Sequence, residues 1–238
     1  MTRRLNIVLC LLFALLPACR EPAEEEGERT MRRAEDRLLA GDFDGARKYL
    51  VEILDEEPEN GRAHLYMGNI HFSQYKYDEA REEYLKAGRF WPENPVPHYQ
   101  LAQLYYIKGK TEEALEAIDR ALAIRPDYPS ALCLKAFFYL KLKKPAAARD
   151  VLQKCIAIAP NSTLARTLLG DAYQEMEDLD RAIVEYEKAR QINPYMLDSY
   201  RGAIEVYGKM GEFEKVKQLS EIYLNLKTSQ PPEEFRLP

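Results

Sequence analysis

The 238-residue sequence predicts an all-α solenoid built from six helix-turn-helix repeats. Proline recurs at intervals of 34 residues, at Pro58, Pro92, Pro126, Pro160 and Pro194. A column of alanines keeps the same interval from Ala46 to Ala182, with Val216 in the sixth place. A period of this length indicates stacked helical units, each of which contacts mainly its neighbours.

Apolar residues inside one period follow the spacing of two helices. In the third period, residues 98, 101, 102 and 105 fall on one helical stripe, and residues 114, 118 and 121 fall on another. The recurrent proline cannot continue a helix interior, so it helps to end each second helix. We therefore predict six repeats in residues 29–227, over about 27–60, 61–94, 95–128, 129–162, 163–196 and 197–230.

Small and aromatic residues form two further columns. The small column on first helices contains Gly68, Ala102, Ala136 and Gly170, and the aromatic column runs from Tyr105 to Tyr207. Together with the alanine and proline columns, this pattern resembles the tetratricopeptide repeat, and the resemblance covers about 200 residues. It implies a right-handed superhelix whose first helices line a concave face. The motif is specific for fold and says almost nothing about function.

The first 18 residues are typical of a secretory signal peptide, with Arg3 and Arg4 before an apolar run. The segment Leu16–Cys19 resembles the lipobox of bacterial lipoproteins, which implies that Cys19 is lipidated and becomes the new N-terminus. A plain cleaved signal and an uncleaved anchor are the alternatives. By the rules of that family, Arg20 in the next position implies the outer membrane, facing the periplasm.

Two segments outside the repeats are predicted to lack a core. Residues 19–28 are acidic and contain Pro22 and Gly27, which favours a flexible tether; the alternative for its second half is the start of the first helix. Residues 228–238 form a Pro-rich tail, too short to cap the last hairpin. The final helix is therefore expected to leave apolar surface for the tail, a partner or a second copy.

Charge and motif content argue against nucleic-acid binding and catalysis. The net charge of -5 makes the chain a poor phosphate binder. Lys108–Thr111 lacks the earlier glycine of a phosphate loop. We predict no cofactor, no metal site and no catalytic residue. The three histidines (His64, His71 and His98) are interpreted as hydrogen-bonded core residues. Cys133 and Cys155 are interpreted as two free thiols, and a bridge between them is the alternative.

Residues offset from the core stripe of the first helices are expected to line a protein-binding groove. The predicted groove residues are Leu65, Asn69, Phe72, Val96, Tyr99, Gln103, Tyr106, Ile107, Phe137 and Leu140, with Cys133 beside them. The equivalent positions of the last two repeats are polar or charged. Such a groove suits a protein or peptide client, although neighbouring first helices could bury some of these residues against each other.

These features predict a membrane-tethered adaptor that assists the assembly of an envelope complex. The architecture resembles that of outer-membrane pilotin-type lipoproteins, which help type IV pilus secretins to assemble. Alternatives are an adaptor for cell-wall enzymes or for another secretion system, and a structural lipoprotein that self-associates through its last hairpin. An enzyme with a site spread across several repeats is the remaining rival.

Overall fold

A computed structural model describes residues 22–229, with the side chains of residues 26–229. This part of the chain contains twelve α-helices and no strand. The helices are α1 (Pro22–Leu39), α2 (Phe43–Glu56), α3 (Gly61–Ser73), α4 (Tyr77–Phe90), α5 (Val96–Ile107), α6 (Thr111–Ile124), α7 (Pro129–Lys141), α8 (Pro145–Ile158), α9 (Thr163–Glu175), α10 (Leu179–Ile192), α11 (Leu197–Met210) and α12 (Phe213–Ser229). They form the six predicted hairpins.

The two ends of the chain differ in part from the predicted boundaries. The signal peptide of residues 1–18, Cys19 and residues 230–238 of the tail lie outside the described residues. Helix α1 begins at Pro22, so residues 22–28, predicted to belong to a flexible tether, are helical. Alanine and glutamate are strong helix formers, and they outweigh the single Gly27.

The helices divide into two compact units, each with its own buried residues. The first unit ends at Pro92 and holds α1 to α4, and the second begins at Glu93 and holds α5 to α12. In the first unit, Met31, Leu50 and Ile70 belong to one apolar core. In the second unit, a larger core runs through the last three hairpins.

Each hairpin turn contains one residue with a left-handed backbone, always at the same repeat position. These residues are Gly41, Tyr75, Gly109, Lys143, Glu177 and Gly211, with φ between 56° and 77°. A left-handed conformation costs a residue with a side chain about 1–2 kcal/mol relative to glycine. The turn therefore keeps its geometry even in the three repeats that lack glycine.

Tyrosines of two second helices pack directly onto glycines of the preceding first helices. A Cβ atom at Gly68 would lie 2.5 Å from Cε1 of Tyr84, and one at Gly170 would lie 2.5 Å from Cε1 of Tyr186. Both tyrosines are almost completely buried. The two repeats between them carry alanine opposite isoleucine or leucine. Within a hairpin, the size of one residue thus compensates for that of the other.

A polar side chain at the start of three first helices holds the end of the preceding helix. His64, Arg166 and Tyr200 each contact the carbonyl oxygen of the proline six residues earlier, at 2.9, 2.9 and 3.0 Å. His64 also lies 2.6 Å from Glu83, and Arg166 donates to Glu185 at 2.9 Å. These contacts satisfy a carbonyl just beyond the helix terminus, where no intrahelical donor is available.

Candidate protein-binding surface

The first helices of the third and fourth hairpins present an aromatic face, defined here as Tyr99, Gln103, Tyr106 and Phe137. The first three residues follow one another at i, i+4 and i+7 on α5, so they lie on the same side of that helix. Phe137 of α7 meets Tyr106 edge to face, with ring centroids 5.2 Å apart. All four side chains are half-buried, so their packing fixes them while leaving surface for a partner.

Hydrogen bonds and burial keep the polar atoms of the aromatic face neutral. Gln103 Nε2 donates to the Tyr99 hydroxyl at 3.2 Å. Burial raises the pKa of Tyr99 to about 12, with smaller contributions from Tyr128 and Cys133. Burial also raises the pKa of Tyr106. At neutral pH both phenols are therefore protonated and able to donate hydrogen bonds.

Two cations flank the aromatic face, and the sequence prediction did not include them. Lys141 Nζ lies 4.9 Å from the centre of the Phe137 ring. The guanidinium of Arg125 lies 3.8 Å from the centre of the Tyr128 ring, which in turn lies 5.5 Å from Tyr99. Arg125 and Tyr128 belong to the link between α6 and α7, which the repeat pattern treats as a connection. Helical periodicity does not apply to residues in a link, so it could not predict that Arg125 and Tyr128 lie beside the aromatic face.

Three residues expected in the groove are instead buried. Leu65, Cys133 and Leu140 are only 6%, 2% and 7% exposed, so they cannot offer a partner much surface. Cys133 and Leu140 belong to the apolar core of the second unit. Leu65 precedes Tyr66, whose hydroxyl donates to Glu35, so α1 reaches this part of α3. Cys133 packs against Cys155 of α8, the second helix of its own hairpin, so its burial comes from within the hairpin.

The remaining predicted groove residues keep part of their surface. Val96 and Ile107 lie half-buried at the two ends of α5. In the first unit, Phe72 is half-buried and meets Tyr77 edge to face at 5.6 Å. Asn69, which was expected to bind a peptide backbone, accepts a hydrogen bond from Tyr84 at 2.9 Å. The side-chain oxygen of Asn69 is therefore already hydrogen-bonded within its own hairpin.

A polar face follows the aromatic face along the first helices of the second unit, on α9 and α11. Gln174 Nε2 donates to Glu205 at 3.1 Å, which joins these two helices. Arg201 donates to Asp198 at 2.6 Å. Towards α7, Lys143 donates to Glu175 at 3.1 Å. The sequence predicted polar or charged residues here, and carboxylates outnumber cations among them.

Asp171 has the largest pKa shift among the carboxylates of the polar face. Tyr186 donates to its Oδ1 at 2.6 Å. Burial raises the pKa of Asp171 to about 6, although the hydrogen bond from Tyr186 opposes this. The folded chain therefore holds this proton more tightly than the unfolded chain, so the stabilisation is full below pH 4 and is lost as the pH rises through 6.

The variant Asp171→Asn is expected to remove this pH dependence. Between pH 5 and pH 7 the wild type should lose about 1.4 kcal/mol of unfolding free energy relative to the variant. Urea unfolding of both proteins at the two pH values measures the difference. Equal changes in the two proteins would show that Asp171 titrates normally. Asp180→Asn, on an exposed carboxylate of α10, is the matched control.

The histidines do not form a site for metal. His64 is buried and has contacts on both ring nitrogens. His71 and His98 each bury an Nδ1 atom that has no hydrogen-bond partner within the described structure. Of the three histidines, only His64 therefore has hydrogen-bond partners for both ring nitrogens, as predicted. Burial lowers the pKa of both. Across residues 22–229 no three His, Cys, Asp or Glu side chains are grouped closely enough for a metal ion.

A cavity of about 920 Å³ opens in the first unit. Aromatic side chains of Phe90 and Trp91 and the charged groups of Arg29, Arg32 and Arg62 line it, among other residues. Arg62 is held by Glu35 at 2.6 Å, so part of this charge is already neutralised. The cavity lies at one edge of the hairpins and was not predicted from the sequence.

The last helix has the apolar surface that its position predicts. No residue of α12 is buried, and Phe213, Ile222 and Leu224 are 74%, 43% and 57% exposed. Val216 and Leu219 pack against the core of the second unit. Self-association through the last hairpin stays a prediction.

Three stretches of the sequence match models of the tetratricopeptide repeat, at residues 31–95, 106–172 and 165–195. Together they cover more than half of the chain, and each stretch contains helical hairpins of the structure. The chain belongs to the tetratricopeptide repeat family. A comparison of this tetratricopeptide repeat protein with curated protein sequences finds no match.

Solved tetratricopeptide repeat structures share the fold. PilF of Pseudomonas aeruginosa is 18% identical, with a TM-score of 0.76, and the alignment covers 87% of this chain and 94% of PilF. MamA of Desulfovibrio magneticus is 23% identical, with a TM-score of 0.64 and coverages of 72% and 97%. YrrB, described as having an unusual peptide-binding site, is 19% identical, with a TM-score of 0.61 and coverages of 76% and 93%.

At these identities the likeness establishes the all-α tetratricopeptide repeat fold and not a shared ligand. As a member of this family, the chain is a scaffold for protein interaction. Within residues 22–229, none of the helices combines the length and apolar character needed to cross a lipid bilayer.

Proposed function

We propose that the chain is a membrane-tethered adaptor that binds a partner protein through the aromatic face. The observation that carries this proposal is the set of half-buried rings on α5 and α7, of which Tyr106 and Phe137 contact each other at 5.2 Å. Rings that are held in place lose little conformational entropy on binding, and aromatic residues are common in the energetic centres of interfaces.

The partner segment that fits this surface is apolar at its centre and polar at one end. Apolar side chains of the segment would cover Tyr106 and Phe137. The hydroxyl of Tyr99 and the amide of Gln103 supply hydrogen-bonding groups for its backbone. Basic side chains would meet the carboxylates of the polar face, of which Glu205 and Asp198 are exposed.

The proposed place of action is the outer membrane facing the periplasm. The signal peptide and the lipobox-like segment ending at Cys19 support a lipid anchor, and several acyl chains hold a protein on a membrane durably. A lipidated N-terminal cysteine would be detected by mass spectrometry of the mature protein. An unmodified N-terminus after cleavage would favour a freely diffusing periplasmic protein.

Among envelope machines, we place a type IV pilus secretin first. The architecture resembles that of pilotin-type lipoproteins, and PilF shares the fold over 87% of this chain. The peptide-binding site described for YrrB supports a protein ligand for a repeat stack of this kind. Cell-wall enzymes, another secretion system and self-association through Phe213 and Leu224 are the alternatives, and we propose no enzymatic activity.

A photoreactive amino acid at Tyr106 tests the proposal in the native envelope. We expect one predominant protein to be captured there, because the side chain points from α5 towards any ligand of the aromatic face. The matched control carries the same group at Val184 of α10, which is 44% exposed. Capture at Tyr106 should be lost when Phe137 is changed to Glu.

The captured protein distinguishes the alternatives. A secretin supports the pilotin-like role, and a cell-wall enzyme supports the first alternative. Equal capture at Tyr106 and Val184, or capture unaffected by Phe137→Glu, would contradict the aromatic face as the binding surface. Capture of the same chain only would shift the function to self-association.

A further inference from the structure

Two cysteines face each other inside the fourth hairpin. Cys133 lies near the start of α7, and Cys155 lies in the last turn of α8. Their Sγ atoms are 3.5 Å apart, and both thiols are free. The other recorded contact of Cys155 Sγ is the Pro129 carbonyl oxygen, at 3.6 Å. The arrangement is absent from the other hairpins, which contain no cysteine.

We propose that Cys133 and Cys155 are a dithiol site that forms an intramolecular disulfide when the chain meets a small-molecule disulfide oxidant. The bond would fasten α7 to α8 in the hairpin that carries Phe137. The proposal does not depend on the function proposed above.

The position of the two sulfur atoms favours this bond. A disulfide requires the sulfurs to be about 2.05 Å apart, so the pair has to close by about 1.5 Å. Each sulfur can move by rotation about its own Cα–Cβ bond. The neighbours in the same core include Ala136 and Ala148, which are small. The hairpin therefore holds the two sulfur atoms within about 1.5 Å of bonding distance.

Burial controls the rate of the reaction and not its outcome. Cys133 and Cys155 are 2% and 0% exposed, so an oxidant reaches them when the hairpin opens locally. Their mutual hydrogen bond, followed by burial, raises the pKa of Cys133. The same hydrogen bond lowers the pKa of Cys155. Either thiol can therefore begin the reaction once local opening exposes it and it loses its proton.

The reaction is two successive thiol–disulfide exchanges. The first protein thiolate attacks one sulfur of the oxidant, whose S–S bond breaks, and the released thiolate takes up the proton that this cysteine lost. The thiolate of the other cysteine then attacks the first cysteine's sulfur in the mixed disulfide and expels the second half of the oxidant, which takes up the second proton. Two protein thiols are oxidised, and one disulfide molecule is reduced to two thiols.

The test uses the full chain with Cys10→Ser and Cys19→Ser, so that only the two thiols of the hairpin remain. The reduced, folded protein is incubated with glutathione disulfide, then denatured, alkylated and weighed by mass spectrometry. We expect both thiols to be lost together, with a mass decrease of two hydrogen atoms. Peptide mapping should find residues 133 and 155 linked, and the oxidised protein should melt at a higher temperature than the reduced one.

The variants Cys133→Ala and Cys155→Ala are the matched controls, because each leaves one thiol that cannot form the internal bond. The parent chain tests the proposal even if one of these variants folds poorly, and circular dichroism checks the fold of each protein. Two thiols that stay free, a stable glutathione adduct, or a disulfide-linked dimer in place of the internal bond would each overturn the proposal.

Discussion

The variant Tyr186→Ala is expected to lower the free energy of unfolding by about 3–5 kcal/mol, the usual cost of truncating a buried aromatic ring. The ring is fully buried and fills the space over Gly170 and Gly202. Because neither glycine has a side chain, nothing in the hairpin can move into the resulting cavity. The hydroxyl that donates to Asp171 at 2.6 Å is lost as well.

Tyr186→Phe separates the ring from its hydroxyl. This variant keeps the packing and removes the hydrogen bond to Asp171, so we expect a loss of about 1–2 kcal/mol. Urea unfolding followed by circular dichroism measures both variants. A loss for Tyr186→Ala no larger than that for Tyr186→Phe would contradict the role of the ring in packing α9, α10 and α11 together.

The variant Gly202→Ala is expected to destabilise the chain by about 1–3 kcal/mol, although alanine is the better helix former. A Cβ atom at Gly202 would lie 2.4 Å from Cζ of Tyr186, which is too close for any contact between carbon atoms. The ring cannot yield easily, because Gly170 lies against it on its other neighbour, α9. Strain in the core therefore exceeds the gain in helix propensity.

Gly208→Ala is the matched control on the same helix. A Cβ atom at Gly208 would meet nothing within 4 Å. This substitution is expected to stabilise the chain by about 0.5–1 kcal/mol through helix propensity. Chemical unfolding of the two variants should give changes of opposite sign. A stabilising effect of Gly202→Ala would mean that Tyr186 is free to move away.

The number of hairpins could be predicted from the sequence because the repeat is a local pattern. The proline near the end of each second helix and the alanine column recur at the same interval. Once one hairpin is recognised, this interval gives the positions of the others. The start of α1 was harder to predict, because only helix propensity determines whether residues 22–28 extend the helix. The turns at Tyr75, Lys143 and Glu177 show that tertiary packing imposes a left-handed residue even without glycine.

The pairing between residue sizes was visible in the sequence but was not read from it. Gly68 and Gly170 occur in the repeats that carry Tyr84 and Tyr186, and alanine occurs where the second helix carries a smaller residue. A comparison of columns within each repeat would have predicted which glycines accommodate a ring.

The candidate site was predicted only in part because a helical stripe does not say how closely the next helix packs. Tyr99, Tyr106 and Phe137 keep surface, whereas Leu65 and Leu140 are covered by neighbouring elements. The closeness of the cysteine pair could not be predicted from the sequence for a related reason. Cys133 and Cys155 occupy different columns, and only the pairing of α7 with α8 brings their sulfurs to 3.5 Å.

The central claim is that the aromatic face binds the partner protein, and titration calorimetry with the captured partner tests it most directly. The dissociation constant is measured for the wild type, for Phe137→Glu and for the exposed control Val184→Glu, after circular dichroism has checked that all three are folded. We predict that Phe137→Glu weakens binding by at least about tenfold, or about 1.4 kcal/mol, and that Val184→Glu leaves it unchanged. Equal dissociation constants for the wild type and Phe137→Glu would contradict the account.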